Sequence, residues 1–133
     1  MTTKQKTWTF DINPIAASRP RVSKQGHAYF AGPYKEFRKN MDELISSLFD
    51  SEVPLYSETL LDVCVTCNVK KPKTTKLLTP RGDVDNFAKA VLDCFNGYIW
   101  DDDKHIVKLT VKKQWAEPEA TGSFIIKVKE LNV

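Results

Sequence analysis

No stretch of this sequence approaches the roughly 18 consecutive apolar residues of a membrane span, and its opening, MTTKQKTWTF, lacks the apolar core of a secretory leader. The expectation is a cytoplasmic protein with no membrane association. Cysteine is scarce: Cys64, Cys67 and Cys94 are an odd number without a disulfide-framework spacing, which fits reduced thiols. Cys64-Val-Thr-Cys67 has no second CxxC to complete a zinc ligand set. It also lies in a run rich in β-branched residues, where positions three apart point to opposite faces. These cysteines therefore read as structural. Histidine is scarcer still, and neither His27 nor His105 sits in a nucleophilic constellation, so both read as ordinary surface or loop residues. Repeats and low-complexity segments are absent. What remains, 133 residues with 41% apolar and 28% charged side chains, is enough for one globular domain with a real core and short for two. The expected domain is 1–133.

Charge is present in both signs, and its placement says more than the net +3. The first 40 residues carry Lys4, Lys6, Arg19, Arg21, Lys24, Lys35, Arg38 and Lys39 against only Asp11 and Glu36. A second basic cluster, Lys70, Lys71, Lys73, Lys76 and Arg81, leads directly into the stretch 81–107, which holds Asp83, Asp85, Asp93, Asp101, Asp102 and Asp103. Clustered carboxylates repel, so a fold keeps them together only where a cation or a function offsets the cost. Basic flanks around an acidic centre suit a metal-dependent nuclease, the flanks holding phosphates and the centre the metal.

Periodicity gives the frame. Residues 6–13 alternate Trp8, Phe10 and Ile12 with polar neighbours and predict a half-buried strand. Short β-like pieces either side of Gln25-Gly26 predict a hairpin, and Pro33 suits the first turn of a helix over 33–50 with one apolar stripe. A central strand at 59–69 gives way to a long basic loop at 71–82, a length that in compact domains tends to be functional. A second helix follows over 85–96, with Asn86 read as its cap, and then strands over 105–115 and 123–131. The fold class is α+β: a single mixed β-sheet with two main helices packed on it, in the order β-hairpin-α-β-α-β-β.

Asp83 and Asp85, two apart in a segment expected to be extended, would share a face. Carboxylates are natural ligands for Mg²⁺, which takes one or two of them and keeps several waters. An EF-hand is excluded, because Phe87, Ala88 and Cys94 stand where its fifth, sixth and twelfth positions need a ligand, a glycine and a glutamate. Lys89 lies four residues after Asp85 and four before Asp93. Spacing alone leaves it evenly divided between a surface ion-pair ladder and a contact to the scissile phosphate. Distance is the test of the acidic centre: a helix over 85–96 is about 18 Å long. Asp103 therefore rejoins Asp83 only if residues 97–102 run back along the helix, for which the apolar Tyr98-Ile99-Trp100 is a candidate. A compact connection would leave the triplet at the far end.

Gly82-Asp83-Val84-Asp85-Asn86-Phe87-x-Lys89-x3-Asp93, followed by Trp100-x-Asp102-Asp103-x-x-Ile106, resembles the signature of the RusA-type Holliday junction resolvases, small endodeoxyribonucleases of bacteria and phages. Arg19-Pro20-Arg21, with Gly26, Tyr29 and Pro33 following, resembles the family's other recurrent segment, and the protein looks like a phage or prophage type. The resemblance implies a Mg²⁺-dependent homodimer, with Mn²⁺ as a substitute, that nicks four-way or branched DNA symmetrically in recombination and repair. It also implies metal-binding catalytic carboxylates at Asp83, Asp85 and Asp103, with Asp102 a further ligand candidate, and it moves Lys89 to the catalytic side. Phe87 replaces the more usual Leu, and Asp101 is an acid where the family has another residue. DNA contacts are expected from Arg19, Arg21, Lys24, Lys70, Lys71, Lys73, Lys76 and Arg81. Two other readings stand beside this one: a junction-binding protein without catalysis, and a metal-dependent nuclease without junction preference.

Overall fold

The computed structural model describes residues 5–18, 21–29, 32–49 and 54–131, with only the backbone described at 21, 28 and 29. Its element order is β1 (Gln5–Phe10), β2 (Arg21–Val22), β3 (Ala28–Tyr29), α1 (Gly32–Leu48), β4 (Leu61–Val69), α2 (Val84–Phe95), β5 (Ile106–Trp115) and β6 (Ser123–Glu130). The α+β class and the order of elements are as the sequence predicts, with strand and helix ends shifted by a few residues. β2 and β3 form the hairpin, whose turn is closed by Gly26 N–H donating to Ser23 O at 2.9 Å.

Four strands make one sheet in the order β1-β6-β4-β5. β6 runs antiparallel to both β1 and β4, while β4 and β5 are parallel and joined through α2. A parallel pair needs such a crossover, and the crossover fixes the direction of α2: its start lies toward the strands' C-terminal ends and its finish toward their beginnings. β5 is an edge strand. β4 is interior and alternates strictly, with Leu61, Val63, Val65 and Cys67 buried and Asp62, Cys64 and Thr66 half-buried on the opposite face.

The core lies on one face of the sheet. Val63, Val65, Phe124, Ile126 and Val128 meet Phe37, Met41 and Ile45 of α1 and Phe87, Val91 and Phe95 of α2. Phe10 stacks on Phe124 at 5.1 Å and meets Phe95 at 5.4 Å, so the end of α2 is locked to the sheet by aromatic area and by ring geometry. Cys67 and Cys94 are buried free thiols, each pushed up to about 12 mainly by desolvation. They are inert as nucleophiles at neutral pH.

Candidate active site

α2 begins one residue earlier than its periodicity suggests, and this changes the local geometry of the first two acids. Asp83 is the helix N-cap, with φ −76° and ψ 146°, while Asp85 already lies in the first helical turn. They do not share an extended segment. The Asp83 backbone carbonyl accepts from Asn86 N–H at 3.0 Å and Phe87 N–H at 3.2 Å, whereas its side chain makes no capping hydrogen bond. Both carboxylates are exposed. Asn86 is therefore not the cap. It sits inside the first turn, where its backbone carbonyl accepts from Ala17 N–H at 2.9 Å and ties the segment after β1 to the start of α2.

The loop before Asp83 is held by groups that no sequence pattern singles out. Lys113 Nζ donates to Pro80 O at 2.8 Å and to Gly82 O at 2.6 Å, and Trp115 Nε1 donates to Leu77 O at 3.0 Å. Two side chains of β5 thus set where the basic loop enters α2. Gly82 has φ +97°, and a Cβ there would stand 2.8 Å from Ala16 Cβ and 3.2 Å from Phe87 Cε2. Gly82→Ala is expected to cost about 1–3 kcal/mol in urea unfolding and to displace Asp83. Gly26→Ala is the comparison, since Gly26 has φ +83° but nothing within 4 Å of the added Cβ. Equal losses in the two variants would show that the close approach at Ala16 has no consequence.

At the other end of α2 the connection is compact. Gly97 N–H donates to Trp100 O at 2.7 Å and Trp100 Nε1 to Asn96 Oδ1 at 2.6 Å, while Ile99 and Trp100 are fully buried. Residues 97–102 do not run back along the helix, so the Asp triplet stays at the C-terminal end of α2. The reason is topological: β5 must start beside β4's beginning to pair with it in parallel, and the triplet immediately precedes β5.

The three acids of the triplet have separate surroundings. Asp101 accepts from the backbone N–H of Asp102 at 2.9 Å and of Glu58 at 3.4 Å, and its Oδ1 lies 3.0 Å from His105 Nδ1. Against some desolvation, these hydrogen bonds hold its carboxyl below the usual range. Asp101 therefore anchors the turn, and His105 is its partner and no free surface histidine. Asp102 caps the short 3₁₀ turn Asp103–His105 by accepting from Lys104 N–H at 3.0 Å, the main reason its carboxyl is also held down. Asp103 goes the other way. Desolvation, a hydrogen bond with Asp102 and the charges of Asp102 and Asp93 raise it, with Lys89 opposing.

Asp85, Lys89, Asp93 and Asp103 line one cleft of about 470 Å³ between α2 and β5, floored by Val84, Leu92, Leu109 and Val111. Lys89 Nζ lies 3.3 Å from Asp93 Oδ2, and the lysine side chain is 65% exposed, so it is free to reach a ligand. Asp83 is not part of this lining. Among the described residues no three His, Cys, Asp or Glu side chains stand close enough together to hold a metal. The donor set still suits Mg²⁺, because that ion needs only one or two carboxylates and keeps its waters. Exposed, unbonded oxygens at Asp83 and Asp85, and a crowded, charge-destabilised Asp103, are of that kind.

The described residues among the expected DNA contacts lie on the 70–82 loop and on the hairpin turn. Lys70, Lys76 and Arg81 line a larger cleft of about 790 Å³ beside Gly82, with Phe87 and Trp115 in its wall and no acid in its lining. Lys71 and Lys73 are exposed on the same loop, and Lys24 on the hairpin turn. Arg19 and the Arg21 side chain lie outside the described residues.

Residues 11–125 match the family described as "Endodeoxyribonuclease RusA". The chain belongs to the RusA family. A relative in Bacillus subtilis (strain 168), described as "Uncharacterized protein YqaN", is 32% identical over 118 residues, covering 78% of this chain and 83% of that protein. The RusA match spans both helices, β4, β5 and every described acid of the cleft, and ends early in β6. The family is one of endodeoxyribonucleases.

Proposed function

We propose that this protein is a structure-selective endodeoxyribonuclease that resolves four-way DNA junctions by Mg²⁺-dependent hydrolysis with paired, symmetric nicks. The observation that carries the reading is the cleft between α2 and β5, lined along its length by Asp85, Lys89, Asp93 and Asp103, with the exposed Asp83 just before α2, within a RusA-family chain. Asp83, Asp85 and Asp103, with Asp102 adjoining, would hold the metal. Mg²⁺ bound there supplies charge neutralisation at the phosphate and a bound water of lowered pKa. Lys89 stabilises the extra negative charge of the phosphate as it builds, in a partly apolar cleft where such a charge is worth more than in water. Lys70, Lys71, Lys73, Lys76 and Arg81 hold the sugar–phosphate backbone on the approach to Asp83.

The working unit is a homodimer. Two incisions related by a two-fold axis need two sites so related. The α2–β5 cleft has the makings of such an interface: Val84 and Leu109 are each 42% exposed, Val107 is 56% exposed, and β5 is a free sheet edge. A two-fold axis that passes through this cleft perpendicular to α2 reverses the direction of the helix. The Asp83 and Asp85 end of one helix would then face Asp103 of the partner subunit, which removes the separation imposed by a helix about 18 Å long.

The test is cutting of a four-way junction, a linear duplex and a forked DNA side by side in Mg²⁺ and in EDTA. Junction cutting that requires the metal and exceeds the linear duplex by at least about 10-fold is expected. Equal cutting of all three would leave a nuclease without junction preference, and binding without cutting would leave a junction-binding protein.

A further inference from the structure

The two helices occupy one face of the four-stranded sheet, and the other face has its own composition. Cross-strand partners share a face, so the register can be read directly. Lys129, Asp62 and Lys108 form one row across β6, β4 and β5. Lys127, Cys64 and Thr110 form the next, and Ile125, Thr66 and Lys112 the one after. β1 extends these rows with Gln5, Thr7 and Thr9. Lys108, Lys112, Lys127 and Lys129 are all exposed, and Asp62 is half-buried among them.

Strands about 4.8 Å apart put Lys108 and Lys129 roughly 10 Å from each other across the sheet. Along β6, Lys127 and Lys129 are about 7 Å apart. The ion pairs found among the described residues are Lys89 with Asp93 and His105 with Asp101, and none of these four lysines takes part in one. Four ammonium groups on one flat face against a single carboxylate raise a local positive potential that costs folding stability and attracts a polyanion. The neutral side chains between them are mostly hydroxyls and amides, which serve as phosphate donors. A second copy of the same face is an unsuitable occupant, because its lysines would oppose these, and the half-buried Ile125 and Cys64 offer little apolar area to offset that.

We propose that this sheet face is a second DNA surface, holding the phosphate backbone of a duplex arm on the side of the sheet away from the α2–β5 cleft. The proposal rests on the reading of the protein as a DNA nuclease, and it adds Lys108, Lys112, Lys127 and Lys129 to the contacts expected from the 70–82 loop. A sheet four strands wide, about 15 Å across, presents a platform comparable in width to a duplex. Backbone contact there is independent of base sequence and leaves the chemistry untouched.

Two double variants, K108Q/K112Q and K127Q/K129Q, and their combination test this. K35Q/K39Q on α1 is the control for each double variant, since Lys35 and Lys39 are exposed and removing them changes net charge by the same two units. Binding of junction DNA in Ca²⁺ is measured from 50 to 200 mM salt, with single-turnover cutting in Mg²⁺ at saturating protein. The combined variant should bind at least about 10-fold more weakly, with the slope of log K against log salt reduced by roughly 3. Its saturated cutting rate should match wild type, and each double variant should show about half the slope change. Slopes no different from the K35Q/K39Q control, in a protein that still cuts junctions, would overturn the second surface and leave the nuclease reading intact. A wild-type protein that neither binds nor cuts DNA would overturn both.

Discussion

Asp83→Asn and Asp85→Asn are each expected to reduce junction cutting by at least about 10²-fold, the scale on which an active site loses one preorganised electrostatic group. Affinity for the junction should hold or rise. The replacements are isosteric, both side chains are exposed, and the Asp83 side chain makes no capping hydrogen bond that Asn would break. Asn is as good an N-cap as Asp, so the start of α2 should survive the first change. The second removes a favourable carboxylate from the first helical turn, worth about 0.3–1 kcal/mol at most. Unfolding midpoints should therefore stay close to wild type while activity collapses. Removing a negative charge beside a phosphate also weakens repulsion, which is why binding should not suffer. Unchanged cutting in either variant would return the acids to a structural role and favour a protein that binds junctions without cleaving them.

Mixing Asp83→Asn with Asp103→Asn should restore cutting that neither variant shows alone. If Asp83 of one protomer works with Asp103 of the partner subunit, a mixed dimer has one site with both defects and one with none. Random exchange of protomers makes roughly half of the dimers mixed, so about a quarter of wild-type site concentration should reappear. The recovered activity should consist of single nicks, because only one site of each mixed dimer is intact. The contrast is sharp, since a site built within one protomer leaves every site with one defect and gives no recovery at any ratio. The experiment follows from two observations. α2 separates Asp83 from the triplet, and among the described residues no three His, Cys, Asp or Glu side chains stand close enough together to hold a metal. Mass measurement of the exchanged dimers shows that protomers have mixed, so an absent recovery counts against the shared site.

The elements of this fold were legible because their signals are local. The run rich in β-branched residues marked a central strand at 59–69, and the stripe containing Phe37, Met41 and Ile45 marked the core face of α1. The motif from Gly82 to Asp93 pointed to the family that residues 11–125 match. Spacing also placed Asp85, Lys89 and Asp93 together, because positions four apart on a helix share a face whatever the helix packs against. α2 starts one residue before its periodicity indicates, since a cap and an extended neighbour differ only in backbone angles that the side chains do not announce.

Other features had no local signature at all. Lys113 reads as one more strand lysine, yet it bonds Pro80 O and Gly82 O from a position 31 residues beyond the glycine. Asp101 reads as one acid of three, and only the approach of Glu58 N–H and His105 separates it from Asp103. The lysines of the sheet's open face are scattered over β5 and β6 and become a patch only once β4 pairs with both.

The α+β class, the order of elements, the RusA signature and the chemical kinds gathered in 81–107 can be read from residue order, because periodicity and motif are properties of neighbours along the chain. Tertiary structure alone decided where the acids stand relative to one another. The parallel pairing of β4 and β5 fixes the direction of α2, and that direction holds Asp83 and Asp103 at opposite ends of the helix.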